Sequence, residues 1–191
     1  MSAAALVFGS ASRPFPGQTE NGDACFVRDV VGGGVFFGVV DALGHGPIAA
    51  LTSSLALLHL QTFDIAKGVT AAVASLHAAL RGTRGAAALL CHYKDGVVSA
   101  CGVGNVEVRR FGVKLPLHLT PGVVGGVITR PPVAAVADMP RGARLVVFSD
   151  GISAKFGADD CNGDVDAVAH SLLQQFGRAT DDATVLVAEA R

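Results

Sequence analysis

Short apolar runs that stop on single carboxylates set the rhythm of this sequence. Residues 34–41 (GVFFGVVD) are β-branched and aromatic and predict an interior strand ending at Asp41. Leu145–Ser149 repeats the pattern and runs into Asp150, and Ala183–Ala188 predicts a last strand directly after Asp181 and Asp182. Between these runs the hydrophobic period changes. After Pro47, a residue favoured in the first helical turn, Ile48, Leu51, Leu55 and Leu58 recur at three- and four-residue spacing. They predict a helix whose apolar stripe covers a sheet. A second helix is predicted over residues 68–81, with Val69, Val73, Leu76 and Leu80 on one face and Gly82 at its end. Asp164 is placed to cap a third helix running through Phe176 and closed by Gly177.

Ala86–Lys94 and Val97–Gly102 predict a hairpin around Asp95-Gly96, and Val106–Arg110 is expected to continue it. A two-residue turn there pairs Lys94 with Val97 and Cys91 with Ala100, which puts Cys101 on the opposite face from Cys91. Residues 112–143, rich in Gly and Pro, read as an ordered connection or flap. Strands come in runs and do not alternate strictly with helices. The expected class is therefore α+β: a β-sandwich of two mainly antiparallel sheets flanked by helices on both faces, as one domain over residues 1–191.

Hydrophobic residues make up 50% of the 191 residues and charged ones 16%, which excludes intrinsic disorder. The formal net charge is −1 and no Lys/Arg run occurs, so a nucleic-acid partner is not expected. Mean hydropathy is high, at +0.47, yet no stretch approaches the roughly 20 apolar residues that span a bilayer. No membrane partner is expected. Ala3–Phe8 has no basic residue before it, so no signal peptide is read there and a cytoplasmic location is expected. Cys25, Cys91, Cys101 and Cys161 have no CxxC spacing and are expected to be free thiols in a reducing compartment.

Four acidic motifs carry the candidate chemistry: ENGD (Glu20–Asp23), DALGHG (Asp41–Gly46), SDG (Ser149–Gly151) and DDATV (Asp181–Val185). Taken singly, each has an ordinary reading. Asp-Gly after a strand is a common turn, Asn-Gly is a common loop, and paired aspartates can simply lead into a strand. Together they differ, because carboxylates at strand ends can converge on one point, where they repel and raise each other's pKa. A divalent cation removes that conflict, and oxygen-only ligands suit Mg²⁺ or Mn²⁺. Two such ions can share a water, lower its pKa and deliver it in line to phosphorus.

In this order, with apolar strands before Asp41 and Asp150, the four motifs resemble the metal-dependent PPM (protein phosphatase 2C-like) family of serine/threonine phosphatases. The closer likeness is to its bacterial SpoIIE-like branch. GVGN (Gly102–Asn105) and PGVVG (Pro121–Gly125) are similar to the stressosome feedback phosphatases of that branch. The resemblance implies a dinuclear Mn²⁺ or Mg²⁺ site at one end of the sandwich. It implies Asp41 as the bridging ligand, with the carbonyl of Ala42 beside it. Asp150 and Asp181 are implied as ligands of one metal, Asp23 as the acidic residue of the first motif, and Asp182 as a support for the ligands. The implied activity is hydrolysis of phosphoserine or phosphothreonine by metal-activated water, without a phosphoenzyme. The implied partners are phosphorylated STAS-domain proteins of a stress-signalling pathway.

The chain departs from the family pattern in places. Ala42 stands where glycine is usual, Gln18 where many relatives hold phosphate with arginine, and Asn105 near a usual third-metal aspartate. His45 is a candidate general acid, although its offset from Asp41 differs from that of many relatives. His59, His77, His92, His118 and His170 are scattered and read as packing or surface residues. Gly102 and Gly104 lack the third glycine of a dinucleotide loop. Two alternatives stay open: a catalytically weak phosphatase-like module that binds a phosphoprotein, and a two-metal phosphoesterase acting on small phosphates.

Overall fold

A computed structural model describes residues 5–191, so the start of the Ala3–Phe8 run lies outside the described residues. In chain order the strands are β1 (Leu6–Arg13), β2 (Asp23–Asp29), β3 (Val35–Ala42), β4 (Ala86–Lys94) and β5 (Val97–Val103). They continue as β6 (Glu107–Phe111), β7 (Ala135–Asp138), β8 (Arg144–Phe148) and β9 (Ala183–Ala190). The helices are α1 (Pro47–Thr62), α2 (Val69–Ala79) and α3 (Val165–Phe176). Two antiparallel sheets result, one of order β2-β3-β4-β5-β7 and one of order β1-β9-β8-β6. Helices α1 and α2 pack on the first sheet and α3 on the second, as the α+β sandwich reading expects.

The continuous apolar run of β3 follows from burial on both faces. Phe37 and Val39 point between the sheets, against a core that includes Leu89, Leu145 and Leu186. Phe36 and Val40 point the other way, into a layer with Leu76 and Leu90. Strands β8 and β9 do the same, with Val146 and Val185 packed toward Leu172 of α3. The hairpin register is as expected: Lys94 pairs with Val97 and Cys91 with Ala100, while Cys101 pairs with Leu90. Asp95 and Gly96 both take positive φ, 51° and 83°, as the tight turn requires. All four thiols are free. No helix among the described residues is long and apolar enough to cross a membrane.

Three expectations need correction. Residues 106–110 do not continue the hairpin. Glu107–Phe111 crosses to the other sheet and pairs with β8. The connection over 112–143 contains a strand, β7, and is pinned by bridges from Thr120 to Val103 and from Val124 to Ala86. The stripe of α1 faces outward: Ile48, Leu51, Leu55 and Leu58 are 56%, 61%, 42% and 63% exposed. Its buried face is instead Ala49, Ser53, Ala56 and Leu60, which recur at the same three- and four-residue spacing. Small residues win that face because the chain approaches closely there: a Cβ added to Gly22 would lie 2.8 Å from the Ala49 Cβ. Asp164 caps α3 by accepting from the N–H groups of Asp166 and Ala167.

Candidate metal centre

Strand pairing brings the acidic motifs to one end of the sandwich. Antiparallel register sets Asp23 directly opposite Asp41 across β2 and β3, an arrangement that is unfavourable for two like charges. In the other sheet β8 pairs with β9, so Asp150, just after β8, lies beside Asp181 and Asp182, just before β9. Ser149 joins the two sheets. Its N–H donates to the Thr184 carbonyl at 3.0 Å, its Oγ accepts from the Thr184 N–H at 3.0 Å, and its O–H donates to Asp23 Oδ2 at 2.5 Å.

Two glycines allow the motifs to meet. A Cβ on Gly151 would stand 1.8 Å from the Asp182 carbonyl oxygen, so SDG and DDATV touch backbone to backbone. A Cβ on Gly22 would meet Asp182 Oδ2 at 2.7 Å, and the Gly22 carbonyl accepts from the Ala42 N–H at 3.1 Å and from the Ser53 hydroxyl. The first, second and fourth motifs therefore share one junction.

The electrostatics follow from this crowding. Burial, reinforced by Asp182, Asp181 and Asp150, pushes the Asp23 carboxyl up to about 7 against the lowering effect of the Ser149 hydrogen bond. Burial also pushes Asp41 up to about 9, helped by Asp23, Asp150 and Asp181 and by a hydrogen bond shared with Asp23. Asp150 is raised by burial and by Asp181, and lowered by Arg178 and by the amide of Asn105. Arg178 is the one positive charge among these influences.

The donor set fits a divalent cation. Asp182 is 3% exposed; its Oδ1 accepts from the Phe15 N–H at 2.7 Å, while its Oδ2 has no hydrogen-bond partner. An orphaned buried carboxylate oxygen beside mutually repelling acids is satisfied by a hard cation, and the ligands are all oxygens. Among the described residues no three His, Cys, Asp or Glu side chains yet close around a single point. Several of these oxygens are turned instead toward neighbouring donors: Asp23 to Ser149, Asp150 to Asn105 Nδ2 at 2.6 Å, and Asp181 to the Asp182 N–H at 2.9 Å.

Asp23, Asp41, Asp150 and Asp181 thus lie together, and Ala42 closes β3 next to them. His45 stands apart on the exposed rim, its ring stacked on Phe15 at 4.2 Å between centroids. Gln18 reaches the same loop, where a Cβ on Gly46 would lie 2.8 Å from its Oε1. Arg13 donates to the Arg178 carbonyl. Nothing local in the sequence marks Ser149, which sits in the SDG turn, or Arg178 as a functional residue. His59 and His77 have structural partners, Ser75 Oγ and the Gly125 N–H.

No protein-family model and no curated protein matches the chain. Solved structures do. RsbX in complex with magnesium aligns over 100% of this chain and 98% of its own at 18% identity, with a TM-score of 0.81. The catalytic domain of the serine/threonine protein phosphatase PstP with two manganese ions aligns over 97% and 98% at 17% identity, with a TM-score of 0.72. At those identities the likeness speaks for the fold. A chain of the bacterial stressosome, described as a modular system adapted to control secondary messenger signalling, goes further. It is 31% identical over 97% of this chain and 100% of its own, with a TM-score of 0.89. The chain has the PP2C-like (PPM) phosphatase fold. Its acidic motifs lie on the strand ends that bring them together.

Proposed function

We propose that this PPM chain is a protein serine/threonine phosphatase using two divalent cations, Mn²⁺ or Mg²⁺. The observation that carries this reading is the convergence of Asp23, Asp41, Asp150, Asp181 and Asp182, with so little positive charge to balance them. Asp41, close enough to Asp23, Asp150 and Asp181 to feel the charge of each, would be the carboxylate shared between the ions. Asp150 and Asp181 would hold one ion, with Asp23 and the Ala42 carbonyl as further oxygen donors. When bound, the cations supply Lewis acidity, lowering the pKa of a water and offsetting phosphate charge.

The chain's own residues position that donor set. Ser149 fixes one oxygen of Asp23, and Asn105 orients Asp150. Asp182 anchors the Phe15 backbone and so holds the loop that carries Gln18. Arg178, within electrostatic reach of Asp150, is a cation available to a phosphate where Gln18 replaces arginine. His45, on the rim, can hand a proton to the departing seryl or threonyl oxygen. The chain lacks a Cys-x5-Arg loop, which fits direct attack by water.

The likeness to a stressosome chain and to RsbX supports phosphorylated STAS-domain proteins of a stress-signalling pathway as substrates. Four free thiols fit a reducing, cytoplasmic setting. Purified protein with Mn²⁺ should hydrolyse p-nitrophenyl phosphate and release phosphate from a phosphorylated STAS domain faster than from nucleotides or sugar phosphates. EDTA or Asp150→Asn should abolish both. Activity that survives both treatments would refute the reading, and a preference for nucleotides would select a small-molecule phosphoesterase. Gln18 favours a second reading, a phosphoprotein-binding module; tight phosphopeptide binding with no turnover at saturating Mn²⁺ would select it.

A further inference from the structure

Two loops meet beside the acidic cluster, and one of them has no means of holding its own side chain. In the DALGHG loop His45 lies between Gly44 and Gly46, which take φ of 86° and 73°. Glycine on both sides leaves the backbone wide freedom, so nothing local fixes the direction of the imidazole. The ring is exposed, and no hydrogen bond within the described residues holds either of its nitrogens. What it does meet is Phe15: the two rings stack with centroids 4.2 Å apart and 16° between their planes.

The loop that carries Phe15 is stiff. Phe15-Pro16-Gly17-Gln18 form a turn in which the Gln18 N–H donates to the Phe15 carbonyl at 2.9 Å. Proline in its second place and glycine at a φ of 86° in its third are what a type II turn requires. Pro16 also restricts Phe15 itself to extended backbone. The Phe15 N–H donates to Asp182 Oδ1 at 2.7 Å, and that carboxylate is buried in the cluster. The phenyl ring therefore stands on a backbone held at both its N–H and its carbonyl. The same turn touches the histidine loop a second time, where a Cβ on Gly46 would lie 2.8 Å from Gln18 Oε1.

We propose that Phe15 is a positioning residue for proton transfer: its ring sets the plane of His45, so that the imidazole meets the departing seryl or threonyl oxygen. The inference rests on the phosphatase reading above and adds to it the group that orients the proton donor. As water attacks phosphorus, the P–Oγ bond breaks and its electron pair stays on Oγ. Protonated His45 passes its ring proton to that oxygen, and the neutral imidazole takes up the proton that the attacking water releases. The transfer needs a ring held within hydrogen-bonding range of Oγ, and a side chain hinged between two glycines spends little time there. Stacking supplies the missing order, since the phenyl face keeps the facing ring near-parallel to it. It engages the face of the imidazole and leaves both nitrogens, on the ring edge, open to substrate.

The test is a ratio of two rates. p-Nitrophenolate leaves readily without a proton and a seryl oxygen does not, so the phosphopeptide is the substrate that depends on the donor. Phe15→Leu keeps the N–H that Asp182 accepts and removes the ring. With Mn²⁺, it should lower kcat on a phosphoserine peptide at least about tenfold more than kcat on p-nitrophenyl phosphate. His45→Asn should shift the ratio in the same direction, the double variant should shift it no further than His45→Asn, and Phe15→Tyr, which keeps the ring, should retain it. In the metal-free chain the His45 ring-proton resonances, identified as those missing from His45→Asn, should move downfield in Phe15→Leu as the ring current is lost. Equal loss on both substrates, no loss on either, a ratio indifferent to His45→Asn, or His45 resonances that stay in place would each overturn the role of Phe15. A wild-type chain inactive on both substrates at saturating Mn²⁺ overturns the phosphatase reading itself, and this inference with it.

Discussion

In the metal-free protein the buried acids should oppose folding more strongly as pH rises, and Asp41→Asn should relieve this. Asp41 is pushed up from 3.8 to about 9, and Asp23 from 3.8 to about 7. A carboxyl whose folded pKa is raised stabilises most below its unfolded pKa, and that advantage is lost as pH climbs toward the folded value. At pH 8 the unfolded chain has released the Asp41 proton while the folded chain still holds it. At about 1.4 kcal/mol per pH unit, the interval from 3.8 to 8 is worth at most about 6 kcal/mol. Water entry and side-chain rotation in the cluster reduce this, and a gain of about 1–3 kcal/mol for Asp41→Asn at pH 8 is expected. The Asn amide can also donate to Asp23, as a protonated Asp41 does. The assay is urea unfolding in EDTA from pH 5 to 9, comparing wild type and variant. The difference between them should widen steadily from pH 5 to 8. If it is constant with pH, or if the variant is the less stable at pH 8, the cluster is not the repelling, proton-holding site described above.

Two further outcomes follow from the geometry. Gly151→Ala forces a Cβ to within 1.8 Å of the Asp182 carbonyl and should separate Asp150 from the Asp181–Asp182 pair. A loss of about 1–3 kcal/mol, roughly 3–10 °C in melting temperature, is expected, with activity falling further than stability. Asp41→Asn and Asp181→Asn should fail differently: high Mn²⁺ should recover part of the rate for Asp181→Asn but not for the bridging position, as read from initial rates against Mn²⁺ concentration. Equal rescue of both would remove the bridging role from Asp41.

Where a pattern had one structural solution, the sequence was enough. Strand β3 is apolar on both faces and could only be interior, Asp95-Gly96 admits one register, and Asp164 caps α3 where expected. The stripe of α1 was misplaced because two stripes of equal period run along that helix, and only the closeness of Gly22 decides which faces inward. Strand β1 was missed because Gly9 interrupts it. The reason for that glycine is tertiary, since a Cβ there would sit 2.3 Å from the backbone of Val165 in α3. The crossing of β6 to the second sheet was equally invisible, because five residues, EVRRF, do not name their partner strand. In the candidate site the aspartates were legible as motifs. The contacts that orient them join residues far apart in sequence, Ser149 with Asp23 and Asn105 with Asp150, and no local pattern encodes such pairs.

Calorimetric titration of Mn²⁺ into the metal-free chain tests the dinuclear centre most directly. Two ions per chain should bind, and the heat should vary with the ionisation enthalpy of the buffer, because Asp41 and Asp23 enter the reaction largely protonated near pH 6 and must release protons to ligate. Asp41→Asn should lower both the stoichiometry and the proton release. No uptake of Mn²⁺ by the wild-type chain, or an isotherm unchanged by Asp41→Asn, would contradict the assignment of these carboxylates to a metal centre.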